Sequence, residues 1–251
     1  MTAIRPEKDV DIILVHGLFI GPWAWDRVRE HLPDEFTVHT PELPFQSLAS
    51  DAALVRGQVA SSVAAGRAVL LIGHSYGGMV ISEAGHDATH LAYLAALAPE
   101  PGQTTADVAA GCVTDLCNAA MIPSDDGQTI SIDPEQAPAA WYHLSSSEDA
   151  AASIARHRSA QASIFGEAVA RPAWLERPST YIQCTEDRAV DPGYQSSMSR
   201  RMVTSASVSG DHSAFISVPS KVAAVIEMLA RSCGASSIGR SPGQEKRLTP
   251  P

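Results

Sequence analysis

Residues 68–84 read AVLLIGHSYGGMVISEA. The first six are apolar without alternation and too few for a helix, the pattern of a central strand covered on both faces. HSYGG then breaks the run, and MVISEA resumes with residues that suit a helix. Between the two elements, Gly73-His74-Ser75-Tyr76-Gly77 matches G-x-S-x-G, the corner that exposes a serine at the end of a sheet strand. Glycines at 73 and 77 let the backbone pack tightly around that corner, and Gly78 extends the tolerance. A glycine-bearing turn with a merely capping serine is the competing reading, and both flanking elements argue against it.

Working outward, strand and helix signals alternate on either side. Asp11–Val15 is a short Ile/Val-rich run ended by His16-Gly17, followed by the loop LFIGPWAW. Trp25, Val28 and Leu32 recur at helical spacing over 23–32 until Pro33, and 36–39 is a second strand candidate. The stretch 51–65 has a period near 3.6, with Asp51 read as its N-cap and Gly66 as its stop. Leu91–Leu97 is a further apolar run, closed by APEPG.

Strands separated by helices of this length predict an α/β fold with a mostly parallel central sheet flanked by helices. Residues 99–178 interrupt the rhythm. They are rich in Ala, Ser, Asp and Pro, include the polar PSDDGQTISIDPEQAP at 123–138, and carry one clear helix candidate, 147–165. This is the pattern of a helical cap inserted over the sheet. The rhythm resumes with strands at 180–184 and 203–208 and helices at 193–201 and 220–229. The expected organisation is a core of residues 1–98 and 179–230, a cap or lid of 99–178, and a C-terminal tail of 231–251.

Composition narrows the partners. The 251 residues are 45% hydrophobic, enough for a sizeable core. Eighteen basic against 28 acidic residues leave a net charge of -10, which disfavours nucleic acid and anionic membrane surfaces. Cysteines 112, 117, 184 and 233 have no metal-binding spacing and are too sparse for a disulfide scaffold, so free thiols are expected, with Cys112 and Cys117 as the one pair that could bridge. The start, MTAIRPEKDVD, lacks an apolar targeting core, and IILVHGLFI is half a membrane span. A cytoplasmic protein is expected, with no membrane partner, no metal and no cofactor; a homodimer is left open.

A serine hydroxyl is a weak nucleophile and needs a histidine base held by a carboxylate, in the chain order Ser, acid, His. His212, in SGDHSAF after a predicted strand, is the one histidine late enough. Asp187, in CTEDRAV just past the strand at 180–184, is the preferred acid. Glu186 is adjacent and would point elsewhere, Asp191 precedes Pro192 and could cap the next helix, and Asp211 neighbours the base itself. His16, His74 and His86 read as packing or supporting residues. The oxyanion of a tetrahedral intermediate needs donors, for which the Tyr76 amide at the new helix start and the Leu18 amide in HGLFIG are the candidates.

These residues resemble the α/β-hydrolase superfamily, and more narrowly the branch of plant methylesterases, plant hydroxynitrile lyases and related small bacterial esterases. The resemblance spans about residues 10–230. It is carried by LVHGLFIGPWAW, LIGHSYGGMV, YLAALAPEPG, PAWLERPSTYIQCTEDRAVDPGYQ and GDHSAFISVP. It implies nucleophile Ser75, acid Asp187, base His212 and oxyanion amides on Leu18 and Tyr76. Lyases of the branch carry a threonine after the strand-ending histidine and a lysine after the catalytic one; Gly17 and Ser213 stand there.

The expected function is therefore that of a serine hydrolase, cleaving small to medium apolar or aromatic carboxylic esters through an acyl-enzyme. Its pocket would be walled by the insertion with Leu18, Phe19, Trp23, Tyr76, Trp141 and Phe165. Lyase-like or C–C bond hydrolase chemistry, cofactor-free haloperoxidase or perhydrolase activity, and a non-catalytic small-molecule binder are the alternatives.

Overall fold

The computed structural model describes residues 9–236. Six strands form the main sheet: β1 (Val10–Val15), β2 (Thr37–His39), β3 (Ala68–His74), β4 (His90–Leu94), β5 (Ser179–Cys184) and β6 (Thr204–Val208). Their order is β6-β5-β4-β3-β1-β2, and every pairing is parallel. The central strands carry continuous apolar runs because both faces are covered. In β3, Val69 and Leu71 enter one core while Ala68, Leu70 and Ile72 enter the other.

The first face is covered by α1 (Leu48–Ala64) and α2 (Gly77–Ala84), through Leu48, Ala52, Val55, Val59, Met79 and Val80. The other is covered by Trp25, Val28 and the last helix, Pro219–Ser236, through Val222, Ala223, Ile226 and Ala230. The chain order reverses between β1 and β3, so the loops that leave these neighbours open a crevice at the carboxyl edge, where such sheets place ligands.

Several boundaries differ from the sequence expectation, each for a local reason. Helix α1 begins at Leu48, and its cap is Ser47, whose side chain accepts from the Ser50 amide in a reciprocal capping box. Asp51 lies inside the helix and is fully buried, so it is not the cap. The strand expected over 91–97 ends at Leu94, because Ala95 turns to φ 44°. The last helix runs on to Ser236, since Ala230 and Cys233 continue its apolar face; residues 237–251 of the expected tail lie outside the described residues. All four cysteines are free and buried.

Between β4 and β5 the helix expected over 147–165 is broken. Helix α4 spans Ser147–Ile154, capped by Ser146; α3 (Thr105–Cys112) precedes it, capped by Thr104. After α4 the chain extends into Ala160–Gln161, which pairs with Thr129–Ile132, and then makes the short turn Ala162–Gly166. Arg158 draws the backbone out of helix: its amide donates to Phe19 O at 2.8 Å and its guanidinium to Leu43 O at 3.0 Å. Those bonds fasten this segment to the loop after β1.

Candidate active site

Ser75 holds φ at 52°, a left-handed conformation that costs a non-glycine residue roughly 1–2 kcal/mol. The corner is kept by its neighbours: Ser75 O accepts from the Gly78 amide at 2.9 Å and the Leu97 amide at 3.0 Å. A side chain on Gly77 would run into Val15 O at 2.7 Å, so the helix start packs directly on the end of β1. Across the crevice, a Cβ on Gly17 would meet Ser75 Cβ at 3.0 Å and His74 Nδ1 at 2.9 Å. Only glycine lets the loop after β1 lie this close to the serine.

The other two expected residues meet beside it. His212 Nδ1 lies 2.9 Å from Asp187 Oδ2, and both residues are buried. Asp187 Oδ2 also accepts from Gln195 Nε2 at 2.9 Å, while Oδ1 accepts from the amides of Ala189 at 2.7 Å and Val190 at 3.0 Å. Four donors thus fill the carboxylate and fix its orientation. With Nδ1 donating to Asp187, Nε2 is the ring nitrogen left for the cavity, which Ser75 and His212 both line.

The rival carboxylates have other partners. Asp191 caps α5 (Pro192–Arg201) through the Tyr194 amide. Asp211 accepts from the Leu144 amide and Ser217 Oγ, and Glu186 from Ser209 Oγ.

The supporting histidines divide by environment. His74 Nε2 donates to His212 O at 2.9 Å, and its ring packs on His212 at 4.6 Å between centroids. Burial first, and the neighbouring His212 second, hold His74 well below the ordinary histidine value, so it stays neutral beside His212. His16 accepts from the Leu43 amide at Nε2 and donates from Nδ1 to Gly17 O at 2.9 Å; burial lowers it to about 4. His86 stands apart from the cavity, beside Glu176.

The backbone amides of Leu18 and Tyr76 face no acceptor among the described residues. They belong to the two loops that converge on Ser75, where an oxyanion would need them. Tyr76 is braced from behind: its hydroxyl donates to Asp51 Oδ2 at 2.8 Å, and Asp51 Oδ1 accepts from the Phe45 amide at 3.0 Å. Burial raises the Asp51 carboxyl to about 6, against the lowering effect of these bonds.

The cavity holds about 660 Å³ of atom-free space, part of it open to solvent. Phe19, Trp141 and Phe165 line it, with Leu18 and Tyr76. Trp23 does not. It belongs to the tight turn Pro22–Trp25, which sends Trp25 into the core and leaves Trp23 under the Arg156 guanidinium, 4.7 Å from the ring centroid. The remaining walls come from Ile20 and Leu97, from Thr105 and Ala109 on α3 and Val113 just after it, and from Cys117, Met121, Ile132, Tyr142, His157 and Ser213.

The sequence pattern did not single out Thr105, Ala109 and Val113, although the spacing of four residues between Thr105 and Ala109 marks one helix face. Nor did it single out Gln195, whose contact with Asp187 has no local signature. Among the described residues no three His, Cys, Asp or Glu side chains cluster to hold a metal ion, and no helix is long and apolar enough to cross a membrane.

Residues 12–225 match the family described as "Alpha/beta hydrolase family". A Phoma sp. protein named "Probable hydrolase R7" is 28% identical over 162 residues, 61% of this chain and 64% of that protein. The match thus spans under two thirds of that relative. Among solved structures, a pyrethroid hydrolase from Sphingobium faniae JZ-2 superposes with a TM-score of 0.74 at 22% identity, covering 89% of this chain and 98% of that one. Polyneuridine aldehyde esterase gives 0.74 at 18%, covering 88% and 99%. A tomato methylketone synthase I variant gives 0.73 at 20%, covering 90% and 99%.

Proposed function

The chain belongs to the alpha/beta hydrolase family, and from that premise we propose that it is a serine hydrolase of small to medium apolar or aromatic carboxylic esters. His212 Nε2 takes the proton of Ser75 as Oγ attacks the ester carbonyl, and Asp187 holds the resulting imidazolium. The Leu18 and Tyr76 amides receive the oxyanion, each worth about 3 kcal/mol of barrier. His212 then protonates the departing alcohol, and water releases the acid from the acyl-enzyme by the same steps.

The observation that carries this reading is the conjunction at one cavity of a strained Ser75, a His212 bonded to a four-donor Asp187, and two amides without acceptors. The names of the solved relatives, a pyrethroid hydrolase and an esterase among them, support it. The apolar lining favours uncharged substrates with hydrocarbon bulk. Cyanohydrin cleavage is disfavoured because Gly17 lacks the threonine hydroxyl, and Ser213 the lysine ammonium, expected at those positions of lyases. We further propose residues 99–178 as the cap that closes the pocket.

The test is a panel of p-nitrophenyl esters with wild type and Ser75→Ala. The wild type should turn over short and medium acyl chains, and the variant should lose at least about 10³-fold in kcat. Turnover retained by Ser75→Ala would sink the mechanism.

A further inference from the structure

Outside its reacting centre the cavity is mainly apolar, its polar lining being Thr105, Ser213 and one hydrogen-bonded pair. Tyr142 Oη and His157 Nε2 lie 2.7 Å apart, and both residues line the cavity. The Ser213 hydroxyl is a second polar neighbour of the phenol. With Nε2 engaged, the other ring nitrogen of His157, Nδ1, is screened from solvent and has no partner among the described residues. Leaving such an atom unpaired costs about 1–3 kcal/mol, and a substrate oxygen recovers that penalty when its entry shifts the ring enough to bring Nδ1 to the cavity.

The placement of the pair bears on the reaction. Tyr142 is tied to the loop of the base: the Ser213 amide donates to Trp141 O at 3.1 Å, and the Leu144 amide to Asp211 Oδ2 at 2.9 Å. His157 is tied to the opposite wall, because the next residue, Arg158, donates its amide to Phe19 O at 2.8 Å and its guanidinium to Ile20 O at 3.2 Å. The Tyr142–His157 bond therefore joins the His212 loop to the Leu18–Phe19 loop, beside the space where the ester must lie.

We propose that Tyr142 and His157 form a specificity site that recognises a second, uncharged oxygen of the substrate, a ketone, hydroxyl or ether a few atoms from the scissile ester. This rests on the reading of the cavity as an ester-hydrolase site. Among the described residues no Asp, Glu, Lys or Arg side chain lines the cavity. Burial keeps both members of the pair neutral, lowering His157 to about 4 and raising the Tyr142 phenol. A charged group would find no counter-ion there, and a purely hydrocarbon chain would leave the pair's free capacity unmet.

The experiment compares p-nitrophenyl hexanoate and octanoate with esters of the same chain length bearing a ketone at successive positions from C4 onward. Each rate is normalised to that ester's hydroxide-catalysed rate. Wild type should show one preferred ketone position, at least about tenfold better in kcat/KM than the unsubstituted chain. In Tyr142→Phe and His157→Leu that ratio should fall to within about twofold of one, while His157→Gln, which retains hydrogen-bonding groups, should recover part of it. Because the ratio is internal to each variant, a general loss of folded enzyme leaves it unaffected.

Should a variant not fold, the wild-type series decides alone: a flat profile along the chain overturns the proposal. A preferred position that survives both substitutions also overturns it, and would point instead to Thr105, whose buried hydroxyl lines the cavity without a partner among the described residues. Turnover of esters without discrimination refutes this site only. No turnover of any ester refutes the hydrolase reading beneath it.

Discussion

At the scale of single residues, the site depends on close approach and on buried polar groups. Gly17 is the clearest case, because any side chain there collides with Ser75 and His74. Gly17→Ala should lower kcat by roughly 10–100-fold through displacement of the loop after β1 and cost about 1–3 kcal/mol of stability from the overpacking; wild-type kcat in a folded variant would refute this. Asp51 shows the opposite balance. Its carboxyl is raised from 3.8 to about 6 by burial, so between those values the folded protein holds a proton that the unfolded chain has released. Stability from this group therefore falls as pH rises through that window and is level above it. Against wild type, Asp51→Asn should thus become relatively more stable from pH 4 to 6 and change no further to pH 8. Urea midpoints at each pH measure this, and a difference independent of pH would contradict it. The sequence makes Asp51 visible as polar at a helix start, but a cap and a buried brace for Tyr76 look identical there. Only the Tyr76 and Phe45 contacts separate them.

At the scale of elements, α5 shows how a helix orients Asp187. Gln195 lies one turn in, accepts from the Cys184 amide at 2.9 Å, and donates to both Asp187 and Val190 O. Gln195→Met should cost about 1–3 kcal/mol in urea unfolding, from the orphaned Cys184 amide. It should also lower kcat about tenfold with little change in KM, since Asp187 loses a fixed donor. Unaltered kcat would show that the other three donors suffice. The last helix carries no site residue, and its contribution is packing: Ile226→Ala should cost about 2–5 kcal/mol and leave kcat of the folded fraction intact. The amphipathic spacing of that helix is legible in its own residues, Val222, Val225, Ile226 and Leu229. The break after Ile154 is not, because tertiary bonds from Arg158 to Phe19 and Leu43 override a helical pattern of small residues.

At the scale of the whole molecule, the net charge of -10 surrounds a cavity with no Asp, Glu, Lys or Arg in its lining among the described residues. Neutral esters should therefore react with kcat/KM nearly independent of ionic strength. An ester bearing a carboxylate should react poorly at low salt and improve several-fold between about 10 and 200 mM, as the Debye length shortens from about 30 to below 10 Å. Equal salt response for both would show that the global field does not reach the site.

Some of this follows from local order alone. A run such as AVLLIG, too short for a helix, reads as a doubly covered strand and G-x-S-x-G after it as a tight corner, so the sheet, its parallel sense and the exposure of Ser75 were legible from residues 68–84 and the alternation around them. Asp187 and His212 were legible as residues at strand ends in the right chain order. What the tertiary structure alone decided concerns partners distant in the chain: that Asp187 rather than Asp211 meets His212, that Gln195 completes the acid's shell, that Trp23 leaves the cavity, and that Tyr142 joins His157 across it. Periodicity reports which face of an element is buried; it carries no information about which other element lies against that face.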